Sequence, residues 1–493
     1  MLGRTGTFTG RCRFELKQCR SLSSPVLPRL HFPAGSGSRR GGTGQEAGQM
    51  SLAQINSILK ANEHSHTPPR VPASHGVLGF HSNMLPSNQP SEDRRSSATY
   101  LPGRGGMLFG VFDGHAGGGC AHSVSQRLFY YIAVATLPLG ALAELDQCVE
   151  EHRALAPLLE WHQPPQDHSS HQGGAACSHS LRLYWQDRLR DQDNSDGTLT
   201  SALENAFRRL DWDLSLEAQV HLRLPVPGDM SQSSPLRVAL SGCTACVAHI
   251  SNGILHVANL GDSRAVLGVQ GPDGQWSALS LTNDHNAQNP DELQRVLGEH
   301  PPSERRTVVR HERLLGLLLP FRAFGDVRFK WSREMLSRVH EVSEGVRTPS
   351  PHYLTPPYLS AQPEVIRHHI TPSDKFLVLA TDGLWELMHR QTVVQLVGEL
   401  LTGLQQQRPL VPSRGMTLGA LQRLLLERRG QVMSVLEDQN AATHLLRHAL
   451  GDDGYGAVAP NRLAKMLSLP PELARRYRDD ITITVILLNE SDL

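Results

Sequence analysis

Apolar residues along this chain fall into short runs that stop at turns rich in glycine and aspartate. Met107 to Phe112 is one such run. Asp113-Gly114-His115-Ala116-Gly117-Gly118 follows, and then Val124, Leu128, Ile132 and Ala135 recur at helical spacing until Pro138. Cys243 to Ile250 alternates, Asn252-Gly253 predicts a tight hairpin, and Ile254 to Ala258 returns. Gly261-Asp262-Ser263 makes a second turn before Ala265 to Val269, so the three runs predict an antiparallel meander. Phe376 to Ala380 is an almost wholly apolar strand ending at Thr381-Asp382-Gly383, with Trp385, Leu387 and Met388 on the helix beyond. Ile481 to Leu488 is the last strand and directly follows Asp479-Asp480. Near the start, Ser51 reads as the N-cap of a short helix carrying Leu52, Ile55, Ile58 and Leu59. There is no internal repeat. Several strands per helix cluster argue against a doubly wound parallel sheet and for an α+β fold with an antiparallel sheet.

Composition narrows this. The 493 residues are 39% hydrophobic and 19% charged, ordinary values for a globular protein with a large core. Lys+Arg and Asp+Glu are both 48, so no basic excess points to nucleic acid. Seven cysteines are too few for a disulfide framework and suit a reducing compartment. Cys243 and Cys246 have redox-pair spacing, but no second pair joins them and the alternation there is that of a strand. The first forty residues place Arg4, Arg11, Arg13, Lys17, Arg20, Arg29, Arg39 and Arg40 against a single acid, Glu15. With no continuous apolar stretch among them, that is the composition of a transit peptide. Leu128 to Ala143 lacks charge but is short and broken by Pro138 and Gly140, so no membrane span is expected. His162 to His179, with His168, His171 and Cys177, has irregular spacing and polar company, and reads as a solvated loop. The expected division is a presequence and spacer over 1–48, a short helix and linker over 49–75, and one domain over 76–490.

The chemistry lies in a shared local grammar. Asp113-Gly114, Asp382-Gly383 and Asp479-Asp480 each put an acid where an apolar strand meets a turn. Asp262 stands in a further turn and Glu92-Asp93 precedes the first strand of the domain. Acids at strand ends can converge at one edge of a sheet, whereas packed strand interiors would not tolerate their charge. Carboxylate ligation without recurring His or Cys suits Mg2+ or Mn2+ and not zinc.

Six segments in order carry a resemblance. They are Asp113-Gly114-His115-Ala116-Gly117, Ser241-Gly242-Cys243-Thr244-Ala245, Gly261-Asp262-Ser263-Arg264, Phe321-Arg322-Ala323-Phe324-Gly325-Asp326, Thr381-Asp382-Gly383-Leu384-Trp385 and Asp479-Asp480-Ile481-Thr482. The series, from about Leu78 to Leu488, resembles the metal-dependent PPM/PP2C Ser/Thr phosphatases. Arg127 to Val134, Asn283 to Asn289, Leu314 to Asp326 and Asp438 to His444 resemble, more narrowly, the pyruvate dehydrogenase phosphatase branch of that family.

The resemblance implies a four-layer αββα fold, a central antiparallel β-sandwich flanked by helices. It also implies hydrolysis of phosphoserine by in-line attack of a hydroxide bridging two Mg2+ or Mn2+ ions. Asp113 would bridge the metals, the Gly114 carbonyl would bind one, and Asp382 and Asp479 would complete the site. Glu92 and Asp93 would act mainly through water, and Asp262 and Glu386 match acids that hold a weaker third metal in some members. His115 would protonate the departing serine oxygen, a role suited to an imidazole. The implied substrate is the phosphorylated E1α subunit of pyruvate dehydrogenase in the mitochondrial matrix. Implied partners are the lipoyl domain of the E2 core, with Ca2+ at that interface in one isozyme, and a regulatory subunit. One position departs from the pattern. Many members have a phosphate-gripping arginine four residues before the Glu of the Glu-Asp pair, and here Asn88 stands there, so phosphate binding would rest more on the metals, or on an arginine from elsewhere such as Arg94 or Arg95.

Overall fold

The computed structural model describes residues 50–68, 76–102, 105–162, 174–190, 198–223, 234–342, 350–403, 438–453 and 457–488, with the isolated positions 417, 419 and 422. The predicted presequence lies outside them, as do His168 and His171.

Two six-stranded sheets form the centre. The first runs His64–His66, Val77–Leu85, Ile481–Leu488, Asp374–Ala380, Arg264–Gln270, Trp276–Ser280 in spatial order, and the second Glu364–His369, Ile254–Leu260, Ala245–Ser251, Gly106–Phe112, Arg94–Tyr100, Leu159–Trp161. Every neighbouring pair is antiparallel. The period of two along each strand decides which layer a side chain enters. In Ile481–Leu488, Ile481, Ile483 and Val485 face helices, while Ile486 and Leu488 face the other sheet. In Gly106–Phe112, Met107, Phe109 and Val111 face the other sheet, while Leu108 and Phe112 face helices.

Between the sheets, Phe80 meets Phe109 edge-on with centroids 5.2 Å apart, among Val257, Leu267, Leu377 and Leu379. Outside the second sheet, Leu128, Phe129 and Ile132 of helix Gly119–Thr136 join Phe207 and Leu210 of helix Leu199–Arg223. Outside the first, Val393 and Val397 of helix Arg390–Thr402 join Leu445 and Leu446 of helix Ala441–Gly451. The layers are therefore α, β, β, α, as expected.

Helix Leu52–Lys60 begins at a capping box in which Ser51 and Gln54 satisfy each other's backbone N–H groups. It buries Ile55 and Leu59 against the first sheet, and His64–His66 adds that sheet's edge strand. A fourth apolar cluster, including Phe321, Val327, Phe329, Trp331 and Tyr358, organises the long segment between 290 and 360.

Two local expectations are corrected. The predicted meander is split: Ile254–Leu260 pairs with Ala245–Ser251, but Arg264–Gln270 pairs with Asp374–Ala380 in the other sheet. The Asn252-Gly253 hairpin forms, with φ of 51° and 69°. The turn at Gly261, with φ of 114° and its Cα against Thr244, instead sends the chain across the sandwich. The segment read as a solvated loop up to His179 ends inside helix Gly174–Arg190, which forms because Leu181, Tyr184 and Trp185 recur on one buried face. Among the described residues no helix is long and apolar enough to cross a membrane.

Candidate active site

Antiparallel pairing brings the predicted acids to one end of the sandwich. Arg94 pairs with Phe112, so Asp93 and Asp113 leave their strands side by side. Arg264 pairs with Ala380, which places Asp262 beside the start of the Asp382 turn. Ala380 pairs with Ile483, and Thr381 donates its N–H to the Thr482 carbonyl at 3.1 Å, bringing in Asp479-Asp480. Five acid-bearing segments, at Asp93, Asp113, Asp262, Asp382 and Asp479-Asp480, thus converge.

These carboxylates work against one another. Burial, and then the charges of Asp382, Asp93 and Asp262, hold the Asp113 carboxyl well above the usual carboxylate range. Burial, outweighing the hydroxyl bonds of Thr482 and Thr381 at 2.7 and 2.9 Å, pushes Asp93 up to about 8. Burial and the Asp382 charge push Asp262 up to about 8. Asp382 is raised, mainly by desolvation, and Glu386, exposed one turn further on, is raised by desolvation and by Asp382. The buried Asp382 Oδ1 has no hydrogen-bond partner among the described residues. Among the described residues no three His, Cys, Asp or Glu side chains already stand in a metal-ligand cluster. Asp479 is turned towards the Arg475 guanidinium, whose charge also reaches Asp382 and Glu386. An arginine drawn into a set of buried acids, with one orphaned carboxylate oxygen, is a donor set that fits hard cations.

The glycine of each Asp-Gly pair has a steric reason. A Cβ on Gly114 would lie 2.3 Å from the Glu92 carbonyl oxygen, and one on Gly383 would lie 2.1 Å from that of Asp480. Only a bare Cα lets the next acid-bearing loop approach so closely. That loop is clamped by Asp480. Its carboxylate accepts the N–H groups of Ser87, Asn88 and Glu92 at 2.5, 2.8 and 2.8 Å, and the Ser91 hydroxyl at 3.0 Å. Burial alone would raise the Asp480 pKa, but these bonds hold it below the ordinary value. Glu92 is held in turn, its Oε1 accepting the Gly117 N–H at 2.7 Å.

At the rim, a small three-stranded sheet of Gly114–His115, Gly242–Cys243 and Phe324–Gly325 seats His115. His115 Nε2 bonds to the carboxylate of Asp326, which is fully buried and has left-handed backbone with φ of 48°. Burial lowers the imidazole pKa, but the charge and hydrogen bond of Asp326 more than offset it and the net direction is up. The pair lies over Gly242, where a Cβ would fall 2.0 Å from His115 Nε2. Asp211 fixes this loop by accepting the Gly325 N–H at 2.8 Å and the Lys330 ammonium at 2.7 Å.

Comparison with known proteins decides what this arrangement is. A family model described as Protein phosphatase 2C matches residues 166–408. The human mitochondrial pyruvate dehydrogenase (acetyl-transferring)-phosphatase 1 is 55% identical, over 89% of this chain and 83% of its own. The human phosphatase 2 of the same name is 45% identical, over 90% and 84%. A protein phosphatase 2C homologue of Schizosaccharomyces pombe is 33% identical, over 85% and 82%. The chain belongs to the protein phosphatase 2C family. It is therefore a protein Ser/Thr phosphatase of a metal-dependent family, built on the expected fold.

Within this PP2C chain, the predicted residues separate. Asp93, Asp113, Asp262 and Asp382 interact directly, and Glu386 is coupled to Asp382. Glu92 and Asp479 lie on the adjoining loops, engaged by Gly117 and Arg475. Of the substitute arginines, Arg95 is excluded: as the next residue in the strand it points the opposite way and donates to the Asn62 carbonyl at 2.6 Å. Arg94 lies along the loop, bonding the carbonyls of Ser91 and Asp93 at 2.7 and 2.6 Å. Asn88 donates its side-chain amide to Asp480. Sequence reasoning gave no role to Asp326, Asp480, Thr381 or Thr482. Asp326 and Asp480 did stand inside quoted motifs, and an acid beside a glycine or a second acid there was the available signal.

Proposed function

We propose that this phosphatase dephosphorylates and so reactivates the E1α subunit of the mitochondrial pyruvate dehydrogenase complex, in the matrix. The observation that carries the chemistry is the mutually repelling set Asp93, Asp113, Asp262 and Asp382 with His115 at its rim. The substrate rests on the likeness to the two pyruvate dehydrogenase phosphatases, which spans most of each chain. The same likeness supports a regulatory subunit and the E2 lipoyl domain as partners, with Ca2+ at that interface.

Asp113, the Gly114 carbonyl, Asp382 and Asp479 would hold two Mg2+ or Mn2+ ions. Glu92 and Asp93 would assist through water, and Asp262 and Glu386 would hold a weaker third ion. Such ions, when bound, lower the pKa of water and neutralise phosphoryl charge. The protein's own part begins with position. The Asp480 clamp and the Gly114 and Gly383 contacts fix the acid-bearing loops against one another before substrate arrives. His115, partly open to solvent and charged through Asp326, then delivers a proton from its ring to the leaving serine oxygen.

The test is phosphate release from phosphorylated pyruvate dehydrogenase complex, with Mg2+ and Ca2+ varied separately, beside phosphorylated branched-chain ketoacid dehydrogenase. Mg2+-dependent release from the first at least tenfold faster than from the second is expected. Preference for the second, or release without divalent cation, would overturn the reading.

A further inference from the structure

One surface is built at a cost that neither the core nor the catalytic site explains. Arg305, Arg306, Arg310 and Arg313 are all exposed within nine residues, and Glu312 is the only exposed acid among them. Among the described residues none of these arginines has an ion-pair partner, although elsewhere Arg264, Arg295 and Arg322 each face carboxylates. The stretch is not a loose basic tail. Val309–Arg310 pairs with Arg313–Leu314 in a two-residue hairpin whose turn residues, His311 and Glu312, both have left-handed backbone, with φ of 50° and 60°. That turn ordinarily takes Asn-Gly, and two side-chain-bearing residues there cost stability.

The hairpin is fastened from below. Val308, Leu314 and Leu318 are buried in the fourth apolar cluster, and the Leu315 N–H reaches the Val308 carbonyl at 2.7 Å. Leu317, 64% exposed, stands beside the arginines, and Arg313 bonds its carbonyl at 3.2 Å. The cluster that seats the hairpin also seats Ala323 and Val327, on either side of the loop that presents Asp326 to His115. An arginine cluster that only solubilised the surface would need neither a fixed hairpin nor a strained turn. Rigid presentation of unpaired positive charge next to an exposed leucine suits an extended acidic segment with an apolar residue among its carboxylates.

We propose that the hairpin 305–317 docks an acidic segment of the phosphoprotein substrate, outside the phosphoserine that enters the active site. The inference rests on the substrate class proposed above. It predicts that the surface acts on substrate capture and leaves chemistry alone, with the salt dependence of an exposed charge contact.

The experiment compares the full-length protein with its Arg305→Gln/Arg306→Gln/Arg310→Gln variant. These side chains have no partners to lose among the described residues, so the melting temperature should not change. On phosphorylated pyruvate dehydrogenase complex at low ionic strength, KM should rise about tenfold with kcat within about twofold, as expected for lost rim charges. The decline of kcat/KM with added salt should flatten, and hydrolysis of p-nitrophenyl phosphate should be unaltered. Decaglutamate should inhibit the wild-type protein on the phosphoprotein but not on p-nitrophenyl phosphate, and should bind the wild-type protein but not the variant by calorimetry. Unchanged KM and salt dependence in the variant would overturn the docking surface while leaving the substrate reading intact. If the wild-type protein released no phosphate from the complex, the substrate reading would fail instead. Decaglutamate binding that depends on the three arginines would then still support an acid-docking surface, and equal binding by both proteins would overturn it.

Discussion

A single carboxylate oxygen shows how much the site asks of its residues. Asp113 sits among Asp93, Asp262 and Asp382, so its charge is opposed by desolvation and by three neighbours. Replacing it with asparagine keeps the shape and removes one repelling charge. Asp113→Asn should therefore lose on the order of a thousandfold in Mg2+-dependent phosphate release, the upper end of the loss seen on removing one electrostatic group. It should also melt higher than wild type in EDTA, and gain little when Mg2+ is added. Wild-type-like turnover or wild-type-like Mg2+ stabilisation would remove Asp113 from the metal site. Gly242 offers a second test at this scale. A methyl group there would strike His115 Nε2 and Asp326 Oδ2, at 2.0 and 2.2 Å. Gly242→Ala and His115→Ala should both slow phosphoserine hydrolysis on the order of a hundredfold, the range of general acid catalysis. Both should slow p-nitrophenyl phosphate far less, because its leaving group needs little protonation. Equal losses on the two substrates would end the general-acid role.

Among the elements, those with a clear period were legible in the sequence. Ile481–Leu488 has the bounds that its alternation predicted, and the Asp113, Asp382 and Asp479 turns lie at the strand ends where the pattern put them. Partnership was not legible. Arg264–Gln270 looked like the third strand of a meander, yet its apolar residues satisfy both layers of the opposite sheet equally well. Helix Gly174–Arg190 was hidden because its large apolar residues begin only at Leu181, behind Ser178, His179 and Ser180. The role of Asp480 was hidden for another reason. Which of two adjacent acids clamps a loop depends on a backbone direction that no spacing encodes. The clamp makes its own prediction. Asp480→Ala leaves three N–H groups without their carboxylate and should lower unfolding free energy by about 3 kcal/mol in denaturant titration. Since the folded pKa of Asp480 is depressed, its contribution is present above the ordinary aspartate value and fades as pH falls through the folded value. The stability gap between wild type and Asp480→Ala should accordingly narrow on acidification. A gap that stayed constant down to pH 2 would mean that the carboxylate charge is not what holds the loop.

At the scale of the whole molecule, positive and negative formal charges balance, yet these acids are gathered at one end of the sandwich, where strand ends from both sheets meet. Folding must place Asp93 and Asp262, each titrating at about 8, into positions where an ordinary aspartate would have ionised near 3.9. Between those limits the folded state holds more protons than the unfolded chain. The contribution of these two acids to stability therefore falls as pH rises through that window. Divalent cations oppose the same repulsion, and by mass action they stabilise only the folded form. Buried histidines with lowered pKa values, such as His249, His256 and His285, work the other way over the same window. The trend is therefore read against the paired Asp93→Asn/Asp262→Asn variant, which keeps them. In EDTA the melting temperature of wild type relative to that variant should drop from pH 5 to pH 8. Added Mg2+ should raise the wild-type melting temperature more at pH 8 than at pH 5, since at pH 5 protons already do part of the cation's work. The paired variant should flatten this second trend. A melting-temperature difference between wild type and this variant that stayed constant from pH 5 to pH 8 in EDTA would show that the acids are not held apart from water and from each other as this structure holds them.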